Sequence, residues 1–281
     1  MRLTARLACS GEIQQPGGQL APEDPCRTNN LRMDWAASFY DRQGSWTGLY
    51  AGDPDDYYQA QAARIARLAP SARTVLELAA GGGQAAAAAA DQGHLVTAIE
   101  LVDRAARNAE RLAETRPDLT IIQADMYEVD LGGNRFDAVV YWDGFGLGSD
   151  ADQIVLLKRI TSWLQADGRL LLDAYTPWYW AAAAGQESVY GRAHSRYDFD
   201  ARGCRMLDRW WHEDSGEDEA VEQSLRCYSP ADLALLAGAA GLEVLAVEPG
   251  GAVDYDAGTY EPEVPLRSAM SYAAALAPAG H

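Results

Sequence analysis

The chain has 281 residues, room for one α/β domain with an added lobe rather than two independent domains. Its formal net charge of -18, from 41 acidic against 23 basic side chains, argues against nucleic acid or an anionic membrane as a partner. Apolar runs are of strand length and broken by charges, so no membrane-spanning helix is expected, and four cysteines and four histidines without ligand spacing predict no metal site.

Residues 1–33 are predicted to be a disordered leader, because Gly11 to Asn30 is rich in Pro, Gly and Gln and poor in apolar periodicity. Arg6 interrupts the short apolar start, which is far too short for a signal peptide. Residues 39–50, FYDRQGSWTGLY, are dense in aromatics and glycine. They either plug a sheet edge or fold over a site as a lid. Asp53-Pro54 reads as an N-cap and first-turn proline, after which Tyr58, Ala62, Ile65 and Ala69 share one helical face.

The stretch VLELAAGGGQ, Val75 to Gln84, carries the strongest signal. A short buried strand runs into three glycines and then into an alanine-rich helix from Ala85 to Ala90. Glycine permits a tight turn and close approach of a ligand to the backbone, and the new helix offers free N–H groups at its start. Such an order builds a nucleotide-cofactor site. Gly81, Gly83 and Ala86 satisfy G-x-G-x-x-A, which admits a dinucleotide. Glu77, however, sits in the strand where a dinucleotide site normally has an apolar residue, and a carboxylate there suits a ligand bearing an ammonium group.

A second strand, His94 to Glu100, ends in a carboxylate able to take both hydroxyls of a ribose. After a charged helix from Asp103, a third strand, Leu119 to Gln123, runs into Ala124-Asp125-Met126. The fourth, Phe136 to Tyr141, leads into WDGFGLGSD. Ser149 or Asp150 caps a helix whose buried stripe is Leu156, Leu157, Ile160, Trp163 and Leu164, and Arg169 to Tyr175 forms a fifth strand. This alternation implies a doubly wound parallel sheet. Three further strands are expected at Tyr190 to Phe199, Arg205 to His212 and Glu219 to Cys227, with Cys204 and Cys227 as neighbouring core thiols. A helix from Ala231, a strand from Leu242 to Glu248 and a last strand from Ser268 to Leu276 follow.

The spacing E-x-A-x-G-x-G, followed by Glu100, QADM and WDGFGLGSD, resembles the motif series of the class I S-adenosylmethionine-dependent methyltransferases of small-molecule, natural-product type. The resemblance covers about Asp34 to Ala277 and implies a Rossmann-like α/β fold. Its mostly parallel seven-stranded sheet would end in an antiparallel strand, with an antiparallel β lobe inserted over 178–228 above the acceptor site. It implies S-adenosylmethionine as cofactor, with Glu77, Ala79, Gly81 and Gly83 at the methionine and turn, and Glu100 and Leu101 at the ribose. Asp125 would accept from the adenine amino group while Met126 backs the ring, and Trp142 would stand where cofactor and acceptor meet. Tyr40 or Trp46 would reach the methionine from the lid.

Candidates for orienting or deprotonating the acceptor are Asp143, Tyr175 and His194. The aromatics of TPWYW, chiefly Trp178 or Tyr179, with Trp142, Phe145, Trp210 and Trp211, are expected to give an apolar acceptor pocket. The expected function is methyl transfer to nitrogen or oxygen of a small, partly aromatic or apolar secondary metabolite, in the cytoplasm, with homo-oligomerisation open. An NAD(P)-dependent reductase would have no use for Glu77 and Asp125; a cofactor-binding protein without methyl transfer is the other alternative.

Overall fold

The computed structural model describes residues 34–255 and 257–280, so the expected leader lies outside the described residues. Helix α1 (Asp34–Thr47) and helix α2 (Asp56–Leu68) precede the sheet. The cap of α2 is Asp55, not Asp53: its carboxylate accepts the N–H groups of Tyr57 and Tyr58. Asp53 instead pairs with Arg111. Then follow β1 (Thr74–Leu78), α3 (Gln84–Asp91), β2 (Leu95–Glu100), α4 (Asp103–Ala113), β3 (Leu119–Gln123), β4 (Phe136–Phe145), α5 (Asp150–Trp163) and β5 (Leu164–Tyr175). Ser149 caps α5 in a reciprocal box with Asp152, as the sequence pattern requires.

After β5 the chain forms α6 (Pro177–Ala182), then the lobe of β6 (Glu187–Tyr190), β7 (Ala193–Asp200), β8 (Arg205–His212) and β9 (Val221–Arg226). It returns through α7 (Pro230–Ala239), β10 (Leu242–Pro249), a small hairpin of β11 (Ala252–Asp254) and β12 (Thr259–Glu261), and finally β13 (Ser271–Pro278). The lobe has four strands where three were expected. Gly191, at φ +64°, turns the chain inside what reads as one alternating run from Tyr190 to Phe199. β5 begins at Leu164 rather than Arg169, because Leu164 already pairs with Phe136 of β4 across an irregularity.

The main sheet has the order β10-β13-β5-β4-β1-β2-β3, with β13 antiparallel to both neighbours and the other pairings parallel. Alternation along the strands divides its two faces. Leu76, Val139, Leu170 and Leu172 pack against Leu156, Leu157 and Ile160 of α5 and Leu233 of α7. Val75, Ala138, Val140 and Leu171 pack on the other face against Ala62 and Ile65 of α2 and the alanines of α3. Truncating one of the fully buried α5 leucines to alanine would cost about 2–5 kcal/mol. Strand order reverses between β4 and β1, and in such sheets the crevice beyond the strand tips at that point takes the ligand.

Candidate active site

A cavity of about 540 Å³ opens at that crevice. Its floor is the turn after β1. Ala79 (φ +50°), Gly81 (φ +55°) and Gly83 (φ +78°) all take left-handed backbone, which is strained for the alanine. The glycines serve different needs. Gly81 lines the cavity. A Cβ on Gly83 would lie 2.6 Å from the Cβ of Ala109, so this glycine lets α4 pack against the start of α3. A Cβ on Gly82 would meet the carbonyl oxygen of Tyr50 at 2.5 Å, which closes the turn beneath the segment after α1.

Glu100, at the tip of β2, accepts the N–H of Gly81 through one oxygen and that of Val102 through the other, both at 2.7 Å. These bonds aim the carboxylate into the cavity and leave lone pairs for two ribose hydroxyls. Burial raises its pKa to about 7 against the lowering effect of the backbone donors. Asp125 accepts the N–H of Tyr127 at 2.8 Å and borders the cavity beside Leu101 and Met126. Glu77 is 3% exposed and stands behind the lining, and its carboxylate has no hydrogen bond among the described residues. Burial, and then the charge of Glu100, push it up to about 8. A cation bound in front of this pair would relieve both. S-adenosylmethionine supplies an ammonium, a sulfonium and a ribose diol, so the residues present fit that group.

The opposite wall is a bulge in β4. Tyr141 pairs with Leu172 and Phe145 with Ala174, so four positions of β4 advance against two of β5. The surplus carries Trp142 and Asp143 into the cavity, with Asp143 at φ +59° and the hydroxyl of Tyr141 donating to the carbonyl of Gly144 at 2.7 Å. Tyr175, ending β5, donates its hydroxyl to Asp143 Oδ1 at 3.0 Å. Asp143 is accessible from the cavity yet deep in the protein. Desolvation raises its pKa, opposed by the Tyr175 bond and the charge of Arg64. Arg64 itself faces Asp173 at 3.5 Å, behind the cavity lining.

Helix α1 and the lobe close the roof. Tyr40 donates to Gln223 Oε1 at 2.7 Å, and Gln223 donates to Asp208 Oδ2 at 2.9 Å. Tyr50 donates to Gln43 Oε1 at 2.7 Å. Among the described residues no Lys, Arg or His lines the cavity, whereas Asp55, Glu100, Asp125, Asp143 and Asp208 do.

Of the residues singled out from sequence, Tyr40, Ala79, Gly81, Glu100, Leu101, Asp125, Met126, Trp142, Asp143 and Tyr175 meet at this cavity; Trp46, Glu77, Gly83 and His194 do not line it. Trp46 packs in the small cluster of Phe39, Ala193 and Trp210, with its ring 6.4 Å from that of His212. His194 is placed outside the site by strand alternation: Ala193, Ser195 and Tyr197 point inward, while His194 stacks on Trp211 at 5.5 Å on the far face. The expectation for Trp178 and Tyr179 is likewise corrected. Their polar atoms bond to backbone at Leu266 and Val253, and Trp180, one residue on, lines the cavity instead. Phe145 is buried in the main core and Trp211 lies outside the lining. Tyr50, Asp208 and Gln223 were not foreseen; the only sequence signal for the last two is their shared inward parity with Met206 and Leu225.

Residues 75–168 match the family described as a methyltransferase domain. No curated protein matches the sequence. Among solved structures, the CcbJ methyltransferase from Streptomyces caelestis is similar at 24% identity and a TM-score of 0.66, covering 87% of this chain and 96% of its own. The sugar N-methyltransferase KedS8 from Streptoalloteichus sp ATCC 53650 is 18% identical with a TM-score of 0.57, covering 94% and 98%. The glycopeptide N-methyltransferase MtfA in complex with S-adenosylmethionine is 21% identical with a TM-score of 0.53, covering 85% and 97%. The methyltransferase-domain match over residues 75–168, the fold and the glycine turn together support a class I methyltransferase that uses S-adenosylmethionine. No described helix is long and apolar enough to cross a membrane, and no described group of three or more side chains could hold a metal.

Proposed function

We propose that the chain methylates a nitrogen of a small-molecule amine of secondary-metabolite type, in the cytoplasm, with 34–277 as the catalytic domain and 178–228 as the lobe over the acceptor. The observation that carries this reading is a cavity lined by aromatics and five carboxylates, with no basic side chain among the described residues. An ammonium is attracted there both by charge and by ring faces. A phenolate or carboxylate acceptor would meet like charge on every wall, which disfavours oxygen. Sugar and glycopeptide N-methyltransferases among the similar structures support nitrogen.

The cofactor supplies a methyl group on a sulfonium, already activated for in-line displacement. The chain then has to bind, orient and dry the reactants. Glu100, Asp125 and the Gly81 turn hold the nucleoside, while Glu77 favours the ammonium end through its charge. Tyr40 and Trp142 flank the place where the acceptor arrives. An amine arriving as ammonium must lose a proton before nitrogen can attack. Tyr175 occupies Asp143 Oδ1 and so presents Oδ2 to that proton. The raised pKa of Asp143 improves it as acceptor, and loss of water around the ammonium lowers its pKa towards that of Asp143.

The test is methyl transfer from labelled S-adenosylmethionine to a panel of primary and secondary amines and matched phenols and alcohols. Turnover confined to amines is expected. Turnover of phenols with none of amines would overturn the nitrogen assignment, and binding of S-adenosylhomocysteine without any transfer would leave a cofactor-binding protein.

A further inference from the structure

The lobe carries a buried carboxylate that the methyl-transfer step does not use. Asp208 is 4% exposed, borders the cavity, and forms no ion pair among the described residues. Its Oδ2 accepts from Gln223, while its Oδ1 is buried with no hydrogen-bond partner. Two neighbours on the same face are equally unsatisfied. Trp210 Nε1 and Ser195 Oγ are buried with no partner in good hydrogen-bond geometry, although Asp208 and Tyr197 stand beside them, and Ser195 pairs with Trp210 across the strands as Tyr197 pairs with Asp208. Trp210 Nε1 lies near enough to Asp208 to lower its pKa, but outside hydrogen-bond geometry. The cations on the same strands are turned away from Asp208: Arg196 and Arg209 stand opposite each other on the far face, engaged with Glu217 and Glu222.

A buried, uncompensated carboxylate is costly to the empty protein and marks a place where a partner is missing. Rings surround it: Tyr190 and Trp210 have centroids 5.1 Å apart, and Tyr197 borders the same space. A carboxylate at the end of an aromatic box is matched by an ammonium group. Asp143 and Asp208 stand on different elements of one cavity, and the charges of both reach the hydroxyl of Tyr40. We propose that Asp208, Trp210 and Tyr197 form a second ammonium subsite, so that the acceptor is a dication with one amine at Asp143 and another in the lobe. This rests on the reading of the acceptor as an amine. The subsite would select acceptors by the distance between two cations, as in diamines and polyamino sugars, and would hold the reacting nitrogen by its remote end.

The probes are straight-chain α,ω-diammonium ions from ethane to octane, with alkylmonoammonium and ω-hydroxyalkylammonium ions of the same lengths. Binding is measured by calorimetry on the full chain saturated with S-adenosylhomocysteine. One length of diammonium ion is expected to bind roughly tenfold or more tighter than the matched monoammonium ion. Asp208→Asn should remove that gain, while monoammonium binding falls much less than diammonium binding and S-adenosylhomocysteine affinity stays as it was. Trp210→Phe keeps a ring at this position but removes the indole N–H beside Asp208, and should lower the gain in part, which covers the case in which the Asp208 variant does not fold. No preference for any diammonium ion, an equally tight hydroxyalkylammonium ion, or an unchanged gain in both variants would each overturn the subsite. A failure to methylate amines while the diammonium gain persists would instead count against the transfer reaction alone.

Discussion

At the residue scale the acids around the cavity set the behaviour of the empty protein. Glu77, Glu100 and Asp173 are raised to about 8, 7 and 7, each chiefly by burial. A carboxyl raised in this way binds its proton more tightly folded than unfolded. Stability therefore falls as pH climbs from ordinary carboxylate values through about 8. Thermal melts of the ligand-free protein should drop by roughly 5–10 °C between mildly acidic and mildly alkaline buffer. Glu77→Gln should flatten that profile; a melting temperature that rises with pH would contradict the assignment. The same variant should weaken S-adenosylhomocysteine by about tenfold, through loss of the charge facing its ammonium. Asp143→Asn addresses the chemistry instead. It should lower kcat by about 10²–10⁴ while cofactor affinity barely changes, because the lost interaction belongs to proton removal. Equal losses of stability and cofactor affinity would reduce Asp143 to a shaper of the bulge.

At the element scale, the glycine turn separates two roles that sequence alone merges. Gly83→Ala places a Cβ against Ala109 in left-handed backbone, whereas Gly93 (φ +93°) has open space around its own position. Urea unfolding should show Gly93→Ala costing about 1 kcal/mol for conformation and Gly83→Ala costing about 1–3 kcal/mol more, for the displaced α4. Equal costs would mean that the helices part without strain. β1, β3, α3 and the start of α5 at Ser149 were legible because periodicity, glycine and a capping serine are local signals. The split of β6 from β7 was hidden because alternation continues through the Gly191 turn. The facing of the lobe was hidden for a different reason. Whether Asp208 or Arg209 looks inward depends on the register with β7 and β9, and no residue type declares it. His194 was misjudged on that account, and Trp178 in place of Trp180 because α6 was not foreseen as a helix that rotates the tract.

Across the whole molecule, a charge of -18 and a cavity with no basic lining residue among the described residues act in the same direction on a cationic acceptor. Long-range attraction of that kind is screened within a Debye length of about 8 Å at physiological salt. KM for an amine acceptor should therefore rise several-fold from low to high ionic strength, with kcat little changed, because encounter rather than chemistry is screened. The affinity of S-adenosylhomocysteine, which carries no net charge, should vary much less over the same range. A KM independent of salt would show that the acceptor reaches the cavity without electrostatic help.

The placement of β13 between β5 and β10 has a consequence for how the enzyme is made. During synthesis β5 emerges about a hundred residues before the strand that covers its edge, and until Ser271–Pro278 follows, that edge offers open backbone groups to any passing strand. The same late segment finishes one wall of the cavity. The carbonyl of Met270, which borders the cavity, receives the N–H of Thr176 at 3.1 Å and the indole N–H of Trp180 at 3.0 Å. A nascent chain can thus shape its glycine turn early, from neighbours close in sequence, but completes the proposed acceptor side of the cavity only with the last strand. The nascent enzyme would recognise its donor before its acceptor.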